Sequence, residues 1–410
     1  MNYKILILIL MGILLLYDLY LKYRNQKSVE RPIPENVKDL YDEEEYRKWL
    51  SYFRDKSRLS LFYLLASYIE LFLMFVFNVY ARLLRLFSIE GDYLSANAVL
   101  MIDVVVTLLY AVPFAYIRTM GVEQKYGFNR MTKKTFISDQ IKDTIIELLL
   151  TCGLVSLFIF IHKALGNWML PVFVAIMMII ILLVVFLAPF FGRIYNKLEP
   201  LPEGELRDKL TKLLTDNGMR IRDIKVSDGS KRSTKANAYF SGFGKTKTIV
   251  LYDTLLEQME TEEIVAVFAH EMGHSKHKDT LKLNLLNIIN ITVYVLMIWA
   301  LISIPEIYED FGFTGVNYGF AFLLLGSVLA ALLSPLLGVV SAGIQRRAEY
   351  RADAFAAKNG YGRALMTGLC KLTKNSLDHL NPDPLIVALT YSHPPISSRL
   401  AAIKKCCDAD

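Results

Sequence analysis

The chain has 410 residues, of which 54% are apolar, and its mean hydropathy is +0.34. This composition excludes an ordinary soluble domain and indicates several membrane-spanning helices. The formal net charge of +6 is modest, so it gives no reason to expect a nucleic-acid partner or a strongly basic surface.

Apolar runs long enough to cross a bilayer, which takes about 20 residues of helix, recur along the chain. They lie at 4–21, 60–81, 96–117, 145–162, 168–191, 283–304 and 319–343. The first run has the character of a signal peptide, but it is long and no small-residue cleavage site follows it. We therefore interpret it as an uncleaved anchor. The predicted fold is an all-α membrane protein with seven transmembrane helices.

Loop charge predicts the orientation of these spans, because basic loops stay in the cytoplasm. Residues 22–58 carry ten Lys or Arg and residues 118–144 carry six, whereas 305–318 carry none. Seven spans with the N-terminus outside place every basic segment in the cytoplasm. The segments 195–282 and 344–410 then lie on the same side of the membrane, although two spans separate them in sequence.

The segment KANAYFSGFGKTKTIVLYDTL, residues 235–255, predicts two short strands around a glycine-bearing turn at 242–244. Asn237, Ala238 and Tyr239 form a candidate edge strand, which can hold an extended peptide by main-chain hydrogen bonds. An ordinary hairpin that packs the core is the alternative. GFGKT also resembles a phosphate loop, but Tyr239 stands where the first glycine is required and a strand follows. We therefore predict no nucleotide site.

Three of the six histidines fall within VFAHEMGHSKHKD, residues 267–279. The longer segment 261–282 predicts one helix with Thr261 as its N-cap. On that helix His270 and His274 share a face, so both ring nitrogens can bind one ion, and Glu271 lies beside them as a base. Zinc suits such a site, since imidazole binds it well and it carries no redox risk. Gly273, having no side chain, would let another segment approach the metal.

A third ligand is needed, and RRAEYRADAFAAK, residues 346–358, supplies the stronger candidate. Glu349 and Asp353 are one helical turn apart, so Glu349 can bind zinc while Asp353 accepts the second N–H of a ligand imidazole. His277 is the weaker candidate, because it lies well around the helix from His274. The alternative for the acidic pair is a solvated helix face, on which Glu349 or Asp353 pairs with Arg346, Arg347 or Arg351.

HEMGH, two apolar spans, EYRAD and then YSHPPISSR together resemble the integral-membrane zinc CAAX prenyl protease family. VEQKYGFNR at 122–130, TFISDQIK at 135–142 and KANAYFSGF at 235–243 extend the resemblance over nearly the whole chain. HExxH alone is shared by many metallopeptidases, but its combination with NAYF, EYRAD and SHPP is far more specific. The chain is similar, more distantly, to the HtpX-like quality-control proteases, which have fewer spans.

The resemblance implies a barrel of seven helices around an internal water-filled chamber, capped by a cytoplasmic zincin-like metalloprotease domain. It implies one zinc per chain, held by His270, His274 and Glu349. The implied catalytic residues are Glu271 as general base, His393 at the oxyanion and Asp353 behind a ligand. Asn237, Ala238, Tyr239 and Arg399 are the implied substrate-binding residues, with Arg399 bracing the SHPP segment.

The implied activity is removal of the C-terminal tripeptide from prenylated CaaX proteins; the alternatives are quality-control proteolysis without a prenyl requirement and a scaffold whose site is vestigial. The expected partners are a prenylated substrate and the bilayer, in the endoplasmic reticulum of a eukaryote or the plasma membrane of a prokaryote. The predicted organisation is helices 1–5 at 1–194, the N-terminal section of the protease domain at 195–282, helices 6–7 at 283–343 and the C-terminal section of the protease domain at 344–410.

The cysteines give no CxxC pair and no disulfide framework, which favours a reducing compartment for the soluble segments. They are Cys152, Cys370, Cys406 and Cys407. The chain ends CDAD, with an acid where a prenylation signal has an aliphatic residue, so we expect no lipid on Cys407.

Overall fold

The computed structural model describes residues 2–219, 222–241 and 248–408, with the side chains at 167, 185–193, 240 and 241 outside that description. The turn predicted at 242–244 therefore lies outside the described residues. Cys152, Cys370 and Cys406 are free thiols.

Helices make up most of the chain. They are α1 Tyr3–Lys27, α2 Glu43–Val76, α3 Val79–Leu86, α4 Asp92–Tyr116, α5 Lys133–Leu165, α6 Met169–Tyr195, α7 Glu205–Asp216, α8 Asp253–Gln258, α9 Thr261–Lys276, α10 Asp279–Ile302, α11 Pro305–Asp310, α12 Tyr318–Leu324, α13 Ala330–Ala356, α14 Gly362–Ser376, α15 Pro384–Thr390 and α16 Ile396–Cys407. A π-helical turn at Leu325–Leu329 joins α12 to α13, so the two form one continuous rod.

Within the described residues, six helical stretches are long and apolar enough to cross a membrane. They coincide with six of the predicted spans, those other than 168–191. The backbone of α6 covers the predicted span 168–191, but the portion of α6 with described side chains is a shorter apolar helix, Met169–Val184. The membrane-protein character is confirmed, and the count of seven stays a prediction.

The second predicted span ends too late. The sequence places its end at 81, whereas α2 ends at Val76 and Asn78 takes a left-handed backbone conformation with φ of 52°. That reversal starts the short helix α3, which buries Tyr80 and Leu84. Hydropathy cannot show the break, because the residues on both sides of it are apolar.

The apolar surface of the bundle is what a lipid-facing helix needs. Along α1, the side chains of Ile5, Ile9 and Leu16 are 55%, 55% and 69% exposed. Ile7, Met11 and Leu14 on the other side of α1 are buried among the other helices. Large exposed apolar side chains at this density are unfavourable in water and favourable in hydrocarbon.

A four-stranded sheet lies outside the bundle. Its strands are β1 Leu198–Pro200, β2 Asp223–Ser227, β3 Ala238–Ser241 and β4 Thr248–Tyr252, in the order β1-β2-β4-β3. β3 pairs antiparallel with β4 in the register Ala238↔Leu251 and Tyr239↔Val250, and β2 pairs parallel with β4. The predicted hairpin is therefore half of a larger sheet, and β3 is one of its edges, as predicted for Ala238 and Tyr239.

Two clusters of buried apolar side chains hold the fold together. One contains Ile7, Met11, Phe75 and Phe320 and belongs to the helical bundle. The other contains Trp49, Phe268 and Ile403 and joins the start of α2 to the sheet and to helices α9, α14 and α16. Because α2 contributes to both clusters, it ties the membrane helices to the region of the chain that carries the histidines.

Candidate metal centre

Helix α9, which carries HEMGH, is shorter than the sequence predicts. Its N-cap is Glu260 and not Thr261, which is the first helical residue. The helix ends at Lys276, and Lys278 has a left-handed backbone with φ of 55° before α10 begins at Asp279. The prediction of one helix over 261–282 is therefore wrong, because a sharp turn at 277–278 separates two helices.

The fold brings together the two imidazoles and the carboxylate that the sequence predicts as metal ligands. One ligand atom from each of His270, His274 and Glu349 lies within 4.8 Å of the others. The two Nε2 atoms are 3.2 Å apart, and the His274 Nε2 is 3.2 Å from a Glu349 carboxylate oxygen. His270 and Glu349 are buried. His277 is the C-cap residue of α9 and lies outside this group.

Each imidazole is oriented by a second carboxylate. The His270 Nδ1 lies 2.9 Å from Asp353, and the His274 Nδ1 lies 3.2 Å from Asp279. When Nδ1–H donates to a carboxylate, the neutral ring presents an unprotonated Nε2, which is the form that binds a metal. Asp353 thus has the place predicted for it.

Asp279 is a residue that the sequence analysis missed. It is the first residue of α10, it is 4% exposed, and the Arg351 guanidinium donates to it at 2.6 Å. The signal in the sequence is an acid five positions after His274. On a continuous helix, residues five apart do not share a face. The turn at 277–278 is what brings Asp279 into contact with His274.

Glu349 and Asp353 do not lie on a solvated helix face, which was the alternative to their metal-centre role. Arg346 donates to the backbone carbonyls of Val387 at 2.7 Å and Tyr391 at 2.9 Å, and Arg351 pairs with Asp279. Glu349 and Asp353 are 5% and 1% exposed and face the imidazoles.

Gly273 explains how α13 comes so close to α9. A Cβ at this position would lie 2.7 Å from the Ala352 Cα and 3.2 Å from its Cβ. The absence of a side chain therefore lets the helix that bears Glu349 and Asp353 pack directly on the helix that bears the histidines. This is the close approach that the sequence predicts for Gly273.

Carboxylates raise the pKa of both imidazoles at the centre. Burial alone would lower the pKa of His270, but its hydrogen bonds to Asp353 and Glu349 outweigh burial and raise that pKa to about 9. Burial would likewise lower the pKa of His274, and contact with Glu349 raises it. Burial raises the pKa of Glu271, against the opposite pull of both imidazoles. Carboxylates that hold imidazoles in this way attract a cation.

His393 and Arg399 reach the same centre from the C-terminal segment. The His393 Nδ1 lies 2.8 Å from Glu349, and its side chain is 64% exposed. Arg399 donates to both Asp353 oxygens at 2.6 and 2.9 Å and is 8% exposed. The Arg399 geometry agrees with the predicted bracing through a carboxylate, while its predicted contact with substrate stays a prediction.

The predicted edge strand lies beside this centre, since β3 packs against α9. Ala238 and Tyr239 belong to β3, and Asn237 immediately precedes it. The Asn237 carbonyl accepts from the Tyr252 N–H at 3.0 Å, and its side-chain oxygen accepts from the Ala238 N–H at 2.9 Å. One side of β3 is therefore hydrogen-bonded to β4, and its other side is an edge of the sheet.

The donor set fits a divalent metal. Two imidazole nitrogens and one carboxylate oxygen converge, and each imidazole is oriented by its own acid. Glu271 lies within electrostatic range of both imidazoles. Three protein ligands around an open position is the arrangement that metallohydrolases use. The fold and the site together define a membrane-embedded metallopeptidase.

Comparisons with known proteins agree with this class of enzyme. Residues 200–406 match the model of peptidase family M48, and residues 22–194 match the model described as CAAX prenyl protease N-terminal, five membrane helices. "CAAX prenyl protease 1 homolog" of Arabidopsis thaliana is 32% identical, over 96% of this chain and 95% of that protein. "CAAX prenyl protease 1" of Saccharomyces cerevisiae is 30% identical, over 94% and 92%.

The crystal structure of S. mikatae Ste24p superposes with a TM-score of 0.89 and 27% identity, covering 98% of this chain and 99% of that one. The chain belongs to peptidase family M48, in the branch of the CAAX prenyl proteases.

Proposed function

We propose that this chain is a zinc-dependent endopeptidase of the membrane that removes the C-terminal tripeptide from prenylated CaaX proteins. The observation that carries the proposal is the convergence of His270, His274 and Glu349 within 4.8 Å. It stands in a chain whose relatives over nearly its full length are named CAAX prenyl proteases. Those names favour this function over quality-control proteolysis without a prenyl requirement.

We assign His270, His274 and Glu349 to one zinc ion per chain. Two imidazoles and one carboxylate suit zinc better than the oxygen-binding calcium or magnesium. Bound zinc supplies Lewis acidity, which lowers the pKa of a coordinated water to about 7 and polarises a peptide carbonyl. Asp353 and Asp279 keep the two ligand rings in the required tautomer and orientation.

The substrate backbone lies along Asn237, Ala238 and Tyr239, which places an extended peptide next to α9. Glu271 removes a proton from the attacking water as the oxygen bonds to the scissile carbonyl carbon. The same carboxyl group then gives that proton to the amine nitrogen as the C–N bond breaks. Burial, which raises the pKa of Glu271, makes it a better base for this exchange.

His393 stabilises the developing oxyanion. Its exposed ring is held at Glu349 through Nδ1, which leaves the rest of the ring free to face a substrate carbonyl. Arg399 fixes this segment against α13 through Asp353. His393 therefore contacts the reacting atoms, whereas Arg399 acts through Asp353.

The proposed architecture is a seven-helix barrel around a chamber that holds the prenyl chain, with the metal centre on the cytoplasmic side. Its domains are 1–194, 195–282, 283–343 and 344–410. The basic loops support this orientation, and the family model described as five membrane helices over 22–194 supports several spans in the N-terminal half. The membrane is the endoplasmic reticulum in a eukaryote and the plasma membrane in a prokaryote.

The test is cleavage of a farnesylated CaaX peptide by the purified full-length protein, with release of the tripeptide followed by mass. A zinc chelator and the Glu271→Gln variant should each abolish cleavage, and Glu271→Gln should still bind zinc. The matched control is His277→Gln, a histidine at the end of the same helix, which should keep wild-type activity. Equal cleavage of the unfarnesylated peptide would contradict the prenyl specificity.

A further inference from the structure

A second polar feature lies next to the metal centre and is not used by the mechanism above. Two cavities adjoin there and share Asp378, His379 and Tyr391 in their walls. The first, of about 510 Å³, is also lined by His393 and Arg399. The second, of about 330 Å³, leads away from the centre towards the start of α2.

The second cavity is positively charged. Lys22, Lys56 and Arg58 line it, and among its described lining residues Asp378 is the single acid. The Lys56 ammonium lies 4.8 Å from the centre of the Tyr52 ring. The Lys235 ammonium lies 3.2 Å from the hydroxyl of the same Tyr52. Lys235 is neutralised in part by Glu123 at 3.6 Å, whereas the described chain gives Lys56 no acid within ion-pairing distance.

Two observations locate the ammonium groups of Lys56 and Lys235 relative to the metal centre. Lys235 stands two residues before Asn237 and three before the first residue of β3. Asp378 lies within electrostatic range of Lys56, Lys235 and also His393. The cationic group therefore lies between the start of β3 and the segment that carries His393.

The direction of the bound peptide follows from the strand. Antiparallel pairing is the more stable arrangement, and it places the C-terminal end of a bound peptide at the N-terminal end of β3. Three extended residues span about 10 Å. A peptide cut three residues from its end therefore carries its terminal carboxylate past Asn237, towards Lys235 and Lys56.

We propose that Lys56, supported by Lys235, binds the free C-terminal carboxylate of the substrate and so fixes the cut at three residues from the end. This inference rests on the proposed function and adds a specificity-determining residue to it. An ammonium that lines a cavity and has no acid within ion-pairing distance gains most from a carboxylate that arrives with the substrate. Two cations beside the metal centre are already engaged, Arg399 with Asp353 and Arg351 with Asp279.

The experiment compares two farnesylated CaaX peptides that differ only in a terminal carboxylate or a terminal amide. The wild-type protein should cleave the acid about 10- to 100-fold better in kcat/KM, which is what one charge-assisted hydrogen bond supplies. Lys56→Met should lose most of that preference by slowing only the acid. Lys56→Arg should restore it, and Lys48→Met, an exposed lysine of the same helix, should keep it.

The amide peptide is the internal measure of folding, because its cleavage does not involve the proposed contact. Equal wild-type rates on acid and amide would overturn the inference and leave the proposed function intact. An unchanged preference in Lys56→Met would do the same. If the wild-type protein cleaves neither peptide, the proposed function fails, and this inference fails with it.

Discussion

Gly273→Ala is the substitution that tests most directly how the centre is assembled. The added Cβ would lie 2.7 Å from the Ala352 Cα and 3.2 Å from its Cβ. Carbon atoms rest at about 3.5–4.0 Å, so α9 and α13 would have to separate by about 1 Å. The atom encountered first belongs to the backbone, which cannot rotate away.

The two consequences of that separation differ in size. Overpacking costs about 1–3 kcal/mol, and alanine returns about 1 kcal/mol of helix propensity, so the net loss of stability is about 0–2 kcal/mol. Metal ligation is less tolerant, because ligand distances are held to about 0.2 Å. Since α13 carries Glu349 and α9 carries both histidines, we expect activity to fall by about 100-fold.

The assay is peptide cleavage together with the metal content of the purified protein and its thermal midpoint. Gly368→Ala is the matched control, because Gly368 also packs on α9, but a Cβ there would meet its nearest neighbours at 3.5 and 3.7 Å. That control should keep its activity and metal. A Gly273→Ala protein with wild-type metal content and wild-type rate would refute the account of how the two helices meet.

Three further predictions concern the groups around the centre and one buried ring. Asp279→Asn should weaken metal binding about 10- to 100-fold, measured by competition with a chelator, because His274 loses the acid that orients it. Arg399→Ala should destabilise the fold by about 3–5 kcal/mol, seen in the thermal midpoint, since the buried Asp353 loses its cationic partner and keeps the His270 imidazole; adding Asp353→Asn should recover some of the loss. Burial lowers the pKa of His379 to about 4, so its neutral form stabilises the fold above pH 6.5, and about 2–3 kcal/mol is lost as pH falls towards 4. His379→Gln should flatten that pH dependence of the thermal midpoint, and a slope that survives the substitution would assign it elsewhere.

The cluster of His270, His274 and Glu349 was predictable in part, because helical spacing is a local property. His270 with His274, and Glu349 with Asp353, are each one turn apart, and composition alone places both pairs on helices. That the two pairs meet in space came from the loop charges and from the family resemblance, since periodicity carries no information about contacts between distant segments.

The turn at 277–278 was not predictable on the same grounds. Neither glycine nor proline marks it, and Lys278 adopts a left-handed backbone that lysine seldom takes. The helical pattern continues through it in the sequence, so the contact between Asp279 and His274 was hidden.

Strands β1 and β2 could not be predicted from the sequence, for a different reason. β1 and β2 are three and five residues long, and β2 pairs parallel with β4 although β3 lies between them in sequence. Short strands give weak patterns, and the partner of a parallel strand is not adjacent in the chain. The hairpin half was found because its two strands are neighbours.

The insertion of α10, α11 and α12 between the two halves of the centre has a consequence for the protein's biogenesis. The ribosome makes both histidines well before it makes Glu349, and the carboxylate follows apolar helices that have to be integrated first. The ligand set is therefore incomplete throughout translation of most of the polypeptide. A nascent copy therefore lacks Glu349, the third candidate metal ligand, until α13 has been translated after the apolar helix α10.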